Sequence, residues 1–284
     1  MKVTVVCPAY NHGKYIEDAL RGFIHQKTEF DFQVLVLDDA STDQTPEIIS
    51  DYAAKYPDLI KSVLRKENLG VFKNIQGPLL EIKTPYFIFC EGDDHWCCDH
   101  FLQKGVDFLE EHPDCQLFCA NSVYNDLQGG GQHLWHTNQA SAWFGLDNIL
   151  FSHVSARLMR YRPHFPVGDL AGFHYCLSLG PAYYHSEVVS VYNYTGHGMW
   201  SSLSPREARL QLFNKLYLLN KLFDYQYDHI YTPKIITKRS RRRFWNPVKK
   251  IMGPEKFWDF YFRWKKYPLP ETRMQWWDEE IKSL

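Results

Sequence analysis

The sequence lacks several features that would indicate a particular class of protein. Its formal net charge is only −1 over 284 residues, so no excess of positive charge favours a nucleic-acid partner. No apolar run approaches the roughly 18 residues that a membrane-spanning helix requires. The seven cysteines are odd in number and lie mostly at apolar positions, which argues against a disulfide framework. We therefore expect a cytoplasmic protein with reduced thiols.

Familiar phosphate-binding motifs are also missing. No GxGxxG follows the first apolar run, which argues against a Rossmann-type dinucleotide site. No GxxxxGK[ST] is present, which excludes a P-loop. The stretch Asp38-Asp39-Ala40-Ser41 lacks the Asp-x-Asp spacing of phosphatases that form an aspartyl-phosphate. A nucleotide that binds to this protein must therefore be held by residues other than those of these three motifs.

The first half of the chain alternates apolar strands with amphipathic helices. Short apolar runs predict strands at 3–7, 32–37, 60–64, 86–90 and 116–120. Apolar residues at helical spacing predict helices at 14–26, 45–53, 71–82 and 99–111. Thr45 and Asp99 are the expected N-caps of two of these helices. The alternation predicts a mostly parallel, doubly wound open sheet of the α/β class with right-handed crossovers.

The second half is less regular. Gly129-Gly130-Gly131 predicts a loop or hairpin turn, and residues 205–225 have a helical pattern. Eight lysines and arginines lie between Asp228 and Glu255 without an acidic residue, and many aromatic residues follow. We therefore predict a domain over 1–225, built from halves 1–125 and 126–225, and a helical, basic and aromatic C-terminal extension over 226–284.

Three polar clusters each follow directly on a predicted strand. They are Pro8-Ala9-Tyr10-Asn11, Asp38 to Asp43 and Glu91-Gly92-Asp93-Asp94. Ligands of open α/β sheets bind outside the carboxyl ends of the strands, where the strand order reverses. A strand order of 3-2-1-4 would therefore bring all three clusters to one pocket. Such a pocket suits a nucleoside and a diphosphate that a divalent cation neutralises.

Residues 90–100, CEGDDHWCCDH, contain many side chains of metal-binding type. Zinc is one interpretation, but Cys97 and Cys98 are adjacent, whereas a zinc half-site usually has Cys-x-x-Cys spacing. His95 and His100 have no clear ligand partner in the sequence. We therefore interpret the paired aspartates of this stretch as a site for a hard cation, Mn²⁺ or Mg²⁺, whose other ligands come largely from substrate phosphates.

Four stretches resemble the successive signature segments of family 2 glycosyltransferases with the GT-A fold. In family order these are PAYNHGKYIEDAL, VLVLDDASTDQT, KENLGVFKN and FCEGDDHW, within residues 1–125. A weaker resemblance to the family's acceptor-side segment continues through residues 166–202. There Asn193 stands where arginine is usual, and a histidine occurs at His197 instead of at Thr195. The resemblance implies a GT-A domain with a nucleotide-sugar half, 1–125, and an acceptor half, 126–225.

The resemblance also implies roles for individual residues. The residues that would contact the nucleotide or the sugar are Pro8, Ala9, Tyr10, Asn11, Asp38, Asp39, Asn68 and Asp93. Asp94 would bind the metal ion, and Asp169 would act as the general base for the acceptor hydroxyl. His197 is a candidate for contact with the phosphates or the metal. The rivals of Asp169 as base are Glu187, Asp147 and His174.

The function implied is inverting, metal-dependent sugar transfer in the synthesis of bacterial surface polysaccharide. The donor would be a nucleoside-diphosphate sugar, with UDP as the expected nucleotide, and the acceptor a glycan or a lipid-linked glycan. A nucleotidyltransferase that activates a sugar is one alternative, although PAYNHGKY offers only one glycine and one lysine to a triphosphate. A catalytically silent protein that binds a sugar nucleotide or a glycan is another, which the altered segment at Asn193 leaves open.

Some of these features also have simpler interpretations. Asp38 and Asp39 could belong to a capping turn, and Asn68 could shape a turn before Gly70. The basic and aromatic residues of 234–264 could form a solvated face. They could equally hold the protein against the anionic inner face of the cell membrane.

Overall fold

The structure, a computed structural model, separates into two compact units, residues 1–198 and 199–284. The residues that it describes are 1–135, 142–144, 154–160, 169–196, 198, 202–204, 207–208, 212, 216–217, 219–221, 223–235, 249–250, 253–254 and 256–258. Among these, no helix combines the length and the apolar character needed to cross a membrane. The units divide at residue 198, and the domain boundary expected after residue 225 stays a prediction.

The first half of unit one has the predicted alternation. Its elements are β1 (Val3–Ala9), α1 (Ile16–Ile24), β2 (Phe32–Asp38), α2 (Thr45–Lys55), β3 (Ile60–Leu64), α3 (Val71–Leu80) and β4 (Tyr86–Phe89). These strands pair in parallel in the order β3-β2-β1-β4. The strand order on which the common pocket depended is therefore confirmed, and β1 is buried along its whole length.

The second half of unit one extends the same sheet. It comprises β5 (His95–Trp96), α4 (Phe101–Glu111), β6 (Leu117–Asp126), β7 (Gly131–Trp135), β8 (Ala142–Phe144), a 3₁₀ turn (Val154–Ala156), β9 (Arg157–Arg160), α5 (Asp169–Leu179) and β10 (Ala182–Tyr194). The sheet continues from β4 through β9, β6 and β10 to β5. Here β6 and β10 run parallel, whereas β5, β7, β8 and β9 pair antiparallel with their neighbours. The predicted glycine turn joins β6 to β7.

Helix α1 holds β5 in place beside the strand ends. Its buried face includes Phe23, whose ring meets Trp96 edge-on at 4.9 Å. Gly22 permits this close packing, because a Cβ there would lie 2.9 Å from the backbone nitrogen of Trp96. The segment that follows the paired aspartates is therefore fixed by the core of the first half.

Both helix caps expected from the sequence are wrong. Thr45 is the first residue of α2, and its N–H donates to Asp43 Oδ1 at 3.0 Å. The carboxylate of Asp43 also accepts the Thr45 hydroxyl, so an aspartate two residues earlier replaces the predicted cap. Asp99 does not cap α4, because its carboxylate is bound by Lys27 and by His100 Nδ1.

Unit two contains a helix, α6 (Asp228–Ile235), and a buried polar cluster. Asp228 accepts hydrogen bonds from Asn220 Nδ2 at 3.0 Å and from Trp258 Nε1 at 2.6 Å, and it also pairs with Lys249. Lys249, one of the eight basic residues counted between Asp228 and Glu255, therefore binds a carboxylate in the interior of this unit. The residues described between 207 and 221 are helical, as the pattern of 205–225 predicts.

Candidate active site

The loops after β1 and β2 are tied together by Asn11. Its backbone N–H donates to Ser41 Oγ at 2.8 Å, and its Oδ1 accepts the N–H of Thr42 at 2.8 Å. Asn11 has a φ of 56°, a left-handed conformation that asparagine tolerates better than most residues. The first two polar clusters therefore form one surface, and Tyr10 stands at its edge with 45% of its area exposed.

Gly92 brings the third cluster onto the end of β1. Its N–H donates to the carbonyl oxygen of Pro8 at 3.0 Å. A Cβ at this position would lie 2.6 Å from Ile16 Cδ1 and 3.2 Å from Ala9 Cβ, so any larger residue would have to displace the side chain of Ile16. In the sequence Gly92 stands out only as a member of the third polar cluster, whereas in the structure its small size allows the loops to converge.

Asp38 and Asp39 close the end of β2 in different ways. Asp39 is buried, and its two carboxylate oxygens accept the N–H groups of Leu69 and Gly70, each at 2.8 Å. Asp38 Oδ2 accepts the N–H of Ser41 at 3.1 Å. Asp38 Oδ1 is buried without a hydrogen-bond partner among the residues that the structure describes. Both aspartates thus support loops, and contact with a nucleotide stays a prediction for each.

Asn68 lies beside this arrangement on the exposed loop before α3. Its Oδ1 accepts the N–H of Gly70 at 3.1 Å, so the side chain does shape the turn. Because Asp39 binds the same N–H, Asn68 is held close to the end of β2. Its contact with a nucleotide remains a prediction.

The paired aspartates face two different parts of the molecule. Asp93 Oδ2 lies 3.7 Å from His12 Nε2, on the side of β1. Asp94 is only 1% exposed, and its Oδ1 accepts the N–H of Asn193 at 3.1 Å, on the side of β10. The pair therefore connects the parallel half of the sheet to the half that follows it.

Negative charge is concentrated around Asp94. Burial raises the pKa of its carboxyl well above the usual range, and the nearby charges of Asp93 and Glu91 raise it further. Burial, followed by these carboxylates, also raises the pKa of the Tyr192 hydroxyl. A cation beside Asp94 would reverse this effect, because it favours the ionised carboxylate.

Asn193 is a functional candidate whose contacts the sequence analysis did not foresee. Its Nδ2 donates to the carbonyl oxygen of Asp93 at 2.7 Å, and its Oδ1 accepts from Asn125 Nδ2 at 2.7 Å. With the backbone bond to Asp94, this residue makes two contacts that hold the aspartate pair, and the bond from Asn125 orients its side chain. The sequence signal for Asn193 was its place in the segment similar to the family's acceptor side, where arginine is usual.

Aromatic rings line the ends of β6, β7 and β10 near this pair. The ring of Tyr124 stacks on His133 at 4.6 Å and on Tyr194 at 5.7 Å, and it lies 5.5 Å from Tyr192. None of these residues was singled out in the sequence. Aromatic faces with polar tips provide surfaces that suit a partly apolar, hydroxylated ligand.

The candidate general bases are distributed unevenly. Asp169 is the first residue of α5, whereas His174 is buried within that helix. Glu187 lies six residues before Asn193 in β10, on the order of 20 Å away at the usual rise of a strand, so the structure does not bring it to the aspartate pair. Asp147 and His197 lie outside the described residues.

The family model for Glycosyl transferase family 2 matches residues 4–174. An uncharacterized protein of Mycobacterium tuberculosis is 45% identical over 112 residues, which are 39% of this chain and 32% of that protein. The poly(ribitol-phosphate) beta-N-acetylglucosaminyltransferase TarS of Staphylococcus aureus is 35% identical over 115 residues, 39% of this chain and 19% of TarS. The chain thus matches about a third or less of the length of these curated relatives.

Solved structures show the same fold. S. aureus TarS 1–349 in complex with UDP-GlcNAc superposes with a TM-score of 0.55 at 19% identity, over 89% of this chain and 81% of that one. The mannosyltransferase PcManGT of Pyrobaculum calidifontis, in complex with GDP-Man and Mn²⁺, gives a TM-score of 0.57 at 14% identity, over 100% and 81%. The GT-A fold is therefore confirmed. Because the family match covers more than half of its residues, the chain belongs to glycosyl transferase family 2.

Proposed function

We propose that the protein is an inverting, metal-dependent glycosyltransferase in bacterial surface-polysaccharide synthesis. It would move a sugar from a nucleoside diphosphate, with UDP as the nucleotide, to a glycan or lipid-linked glycan. The observation that carries the proposal is the buried carboxylate of Asp94 at the point where the loops after β1 and β4 meet the end of β10. This is the edge of the sheet at which ligands of open α/β folds bind.

The residues around Asp94 fit a hard divalent cation. Asp94, Asp93 and Glu91 offer oxygen atoms only, which Mn²⁺ and Mg²⁺ prefer. Burial and then the repulsion of Asp93 and Glu91 raise the pKa of Asp94, and a positive charge relieves this repulsion. When bound, such an ion would stabilise the negative charge that builds on the departing diphosphate. Asp94 is the proposed metal ligand, and Asp93 would face the ribose or the sugar.

The nucleotide would lie against the loops after β1 and β2. Asn11 holds these loops in one arrangement, and the exposed ring of Tyr10 offers a face to the base. Asp39 can accept a further hydrogen bond from a base or ribose, because each carboxylate oxygen has two lone pairs. Pro8 and Ala9 would form the floor, and Asn68 would contribute from the rim. His197 is the proposed further contact to the phosphates or the metal.

The acceptor side would supply the proton transfer. An acceptor hydroxyl is a poor nucleophile, and a positioned carboxylate accelerates its attack by roughly 10²- to 10⁴-fold. Asp169, at the start of α5, is the proposed base. A single base acting on the face opposite the leaving group gives direct displacement and inversion at the anomeric carbon.

The acceptor class is inferred from the aromatic surface and from the relatives. The ring of Tyr192 lies beside the aspartate pair, 5.5 Å from the ring of Tyr124, and could stack on a sugar of the growing glycan. TarS, a relative over part of this chain, is named for transfer to poly(ribitol-phosphate). Contact of residues 234–264 with an anionic leaflet remains a proposal, since most of that segment lies outside the described residues.

Nucleotide titration distinguishes this function from its alternatives. Calorimetry with UDP, GDP and CTP, each with and without Mn²⁺, should show binding of UDP that depends on the metal. Preference for CTP would favour a nucleotidyltransferase instead. Normal UDP binding without transfer to any glycan acceptor would favour a silent binding protein. Absence of nucleotide binding would contradict the proposal altogether.

A further inference from the structure

A second group of metal-binding side chains lies away from the aspartate pair. Cys98, His100 and Glu187 each present one ligand atom, and these three atoms lie within 4.8 Å of one another. Cys98 and His100 follow β5, whereas Glu187 belongs to β10. No ligand partner of His100 is evident in the sequence, because Glu187 is distant along the chain.

Strand pairing explains how these residues meet. His95 pairs with Val191 and Trp96 with Ser190 in an antiparallel register. The N–H of Cys97 then donates to the carbonyl oxygen of Val189 at 2.9 Å. Each further residue after β5 therefore lies beside an earlier residue of β10. This register carries Cys98 and His100 towards Glu187 and away from Asp94.

The imidazole of His100 is oriented for a metal ion. Its Nδ1 is hydrogen-bonded to Asp99 Oδ1 at 2.7 Å, and its Nε2 lies 3.5 Å from Glu187 Oε1. Histidines that bind metals usually donate their other ring nitrogen to a carboxylate or a carbonyl in this way. His185 Nε2 lies 3.4 Å from Glu187 Oε2, two residues away in β10.

We propose that Cys98, His100 and Glu187 bind a transition-metal ion of the Zn²⁺ type. A thiolate, an imidazole and one carboxylate form a set that zinc accepts, in contrast to the oxygen-only set around Asp94. Bond lengths of about 2.0–2.3 Å require the three described ligand atoms to close by roughly an ångström. The ion would join the start of α4 to β10, the strand that carries Asn193.

A cluster of ion pairs is the competing explanation. Lys104 Nζ lies 2.7 Å from Glu187 Oε2, and this exposed side chain already supplies a positive charge to the carboxylate. A metal ion and Lys104 would compete for the same oxygen atoms. Removal of Lys104 should therefore strengthen metal binding, whereas a cluster that exists only for ion pairing would gain no affinity for a metal.

Cobalt titration of the full chain tests the proposal. In reducing buffer with excess Mg²⁺ and no nucleotide, Co²⁺ should produce a saturable thiolate-to-cobalt charge-transfer band that Zn²⁺ abolishes. Cys98→Ser should lose the band. Cys97→Ser is the matched control and should keep it, because Cys97 is the adjacent, exposed cysteine. A band that survives in Cys98→Ser, or that disappears in Cys97→Ser, would overturn the proposal, as would the absence of saturable binding.

Further variants test the proposal even if Cys98→Ser does not fold. His100→Gln alters a half-buried side chain and should weaken cobalt binding without loss of the far-ultraviolet circular dichroism of the native protein. Asp99→Asn should lower the affinity by about 10- to 100-fold, the usual effect of removing a carboxylate that orients a metal-binding histidine. Lys104→Met should raise it. Unchanged affinity in all three variants would refute the assigned ligands.

Discussion

Asn193 donates its backbone N–H to Asp94 Oδ1 at 3.1 Å, and its side chain donates to the carbonyl oxygen of Asp93 at 2.7 Å. These bonds fix the aspartate pair to the end of β10, although the partners lie 99 and 100 positions apart along the chain. A residue of β10 thus positions the proposed metal ligand in the loop after β4. Asparagine occupies a place where arginine is usual in the family that the chain resembles.

Asn193→Ala removes the side-chain contacts and keeps the backbone bond to Asp94. We expect the affinity for UDP in the presence of Mn²⁺ to fall by about 2- to 10-fold, since one hydrogen bond contributes about 0.5–1.5 kcal/mol. Calorimetry with UDP and Mn²⁺ measures the change, and thermal unfolding shows whether the variant is folded. An affinity equal to that of the wild type would mean that the side chain does not position the aspartates.

Gly92→Ala tests the close approach of the loop after β4 to β1. The new methyl group would meet Ile16 Cδ1 at 2.6 Å, and overpacking of this kind costs about 1–3 kcal/mol. We expect a lower melting temperature together with weaker binding of UDP. Ile16→Val removes the Cδ1 atom, so the double variant should lose less stability than the sum of the two single variants. Simple additivity of the two losses would contradict the proposed clash.

The raised pKa of Asp94 predicts that this carboxylate destabilises the fold when no cation is present. A carboxyl whose pKa is raised by folding favours the folded state below its ordinary pKa, and this contribution is lost as the pH rises through the raised pKa. Asp94→Asn should therefore raise the melting temperature of the metal-free protein at neutral pH. Asp51→Asn, an exposed position on α2, is the matched control and should have little effect. A lower melting temperature for Asp94→Asn would refute this view of the site.

The first half of the fold could be predicted because short apolar runs and helical periodicity determine its elements directly. The order β3-β2-β1-β4 then places the residues after β1, β2 and β4 at one edge of the sheet. This placement led to Asp93 and Asp94, together with the resemblance of the surrounding segment to family 2 glycosyltransferases. Local patterns also led to the two wrong caps. A capping rule expects the side chains of Thr45 and Asp99 to accept N–H groups at the starts of α2 and α4. Instead, Asp43 accepts the N–H of Thr45, and Lys27 binds the carboxylate of Asp99.

Long-range contacts could not be predicted from local patterns. The partners of Asn193 and Glu187 depend on the pairing of β5 with β10. Strand β5 is only two residues long, so no periodicity in the sequence reveals it. The need for a small residue at Gly92 was not evident in the sequence, because the side chains that crowd this position include Ala9 of β1 and Ile16 of α1. The second half of the chain is irregular in the sequence, so periodicity did not predict strands such as β9 and β10.

Asp169→Asn tests the proposed base. Turnover should fall by about 10²- to 10⁴-fold, the usual contribution of a general base, while the affinity for the donor stays unchanged. Steady-state transfer kinetics and a separate UDP titration measure the two quantities. If donor binding collapses instead, Asp169 supports the nucleotide site and another group takes the proton.

The dependence of UDP binding on Mn²⁺ in the wild type and in Asp94→Asn tests the central claim most directly. Calorimetry should show that Mn²⁺ strengthens UDP binding by the wild-type protein and that Asp94→Asn loses this increase while keeping a native circular dichroism spectrum. Asp51→Asn should behave as the wild type does. An equal effect of Mn²⁺ on the wild type and on Asp94→Asn would contradict the assignment of Asp94 as the metal ligand.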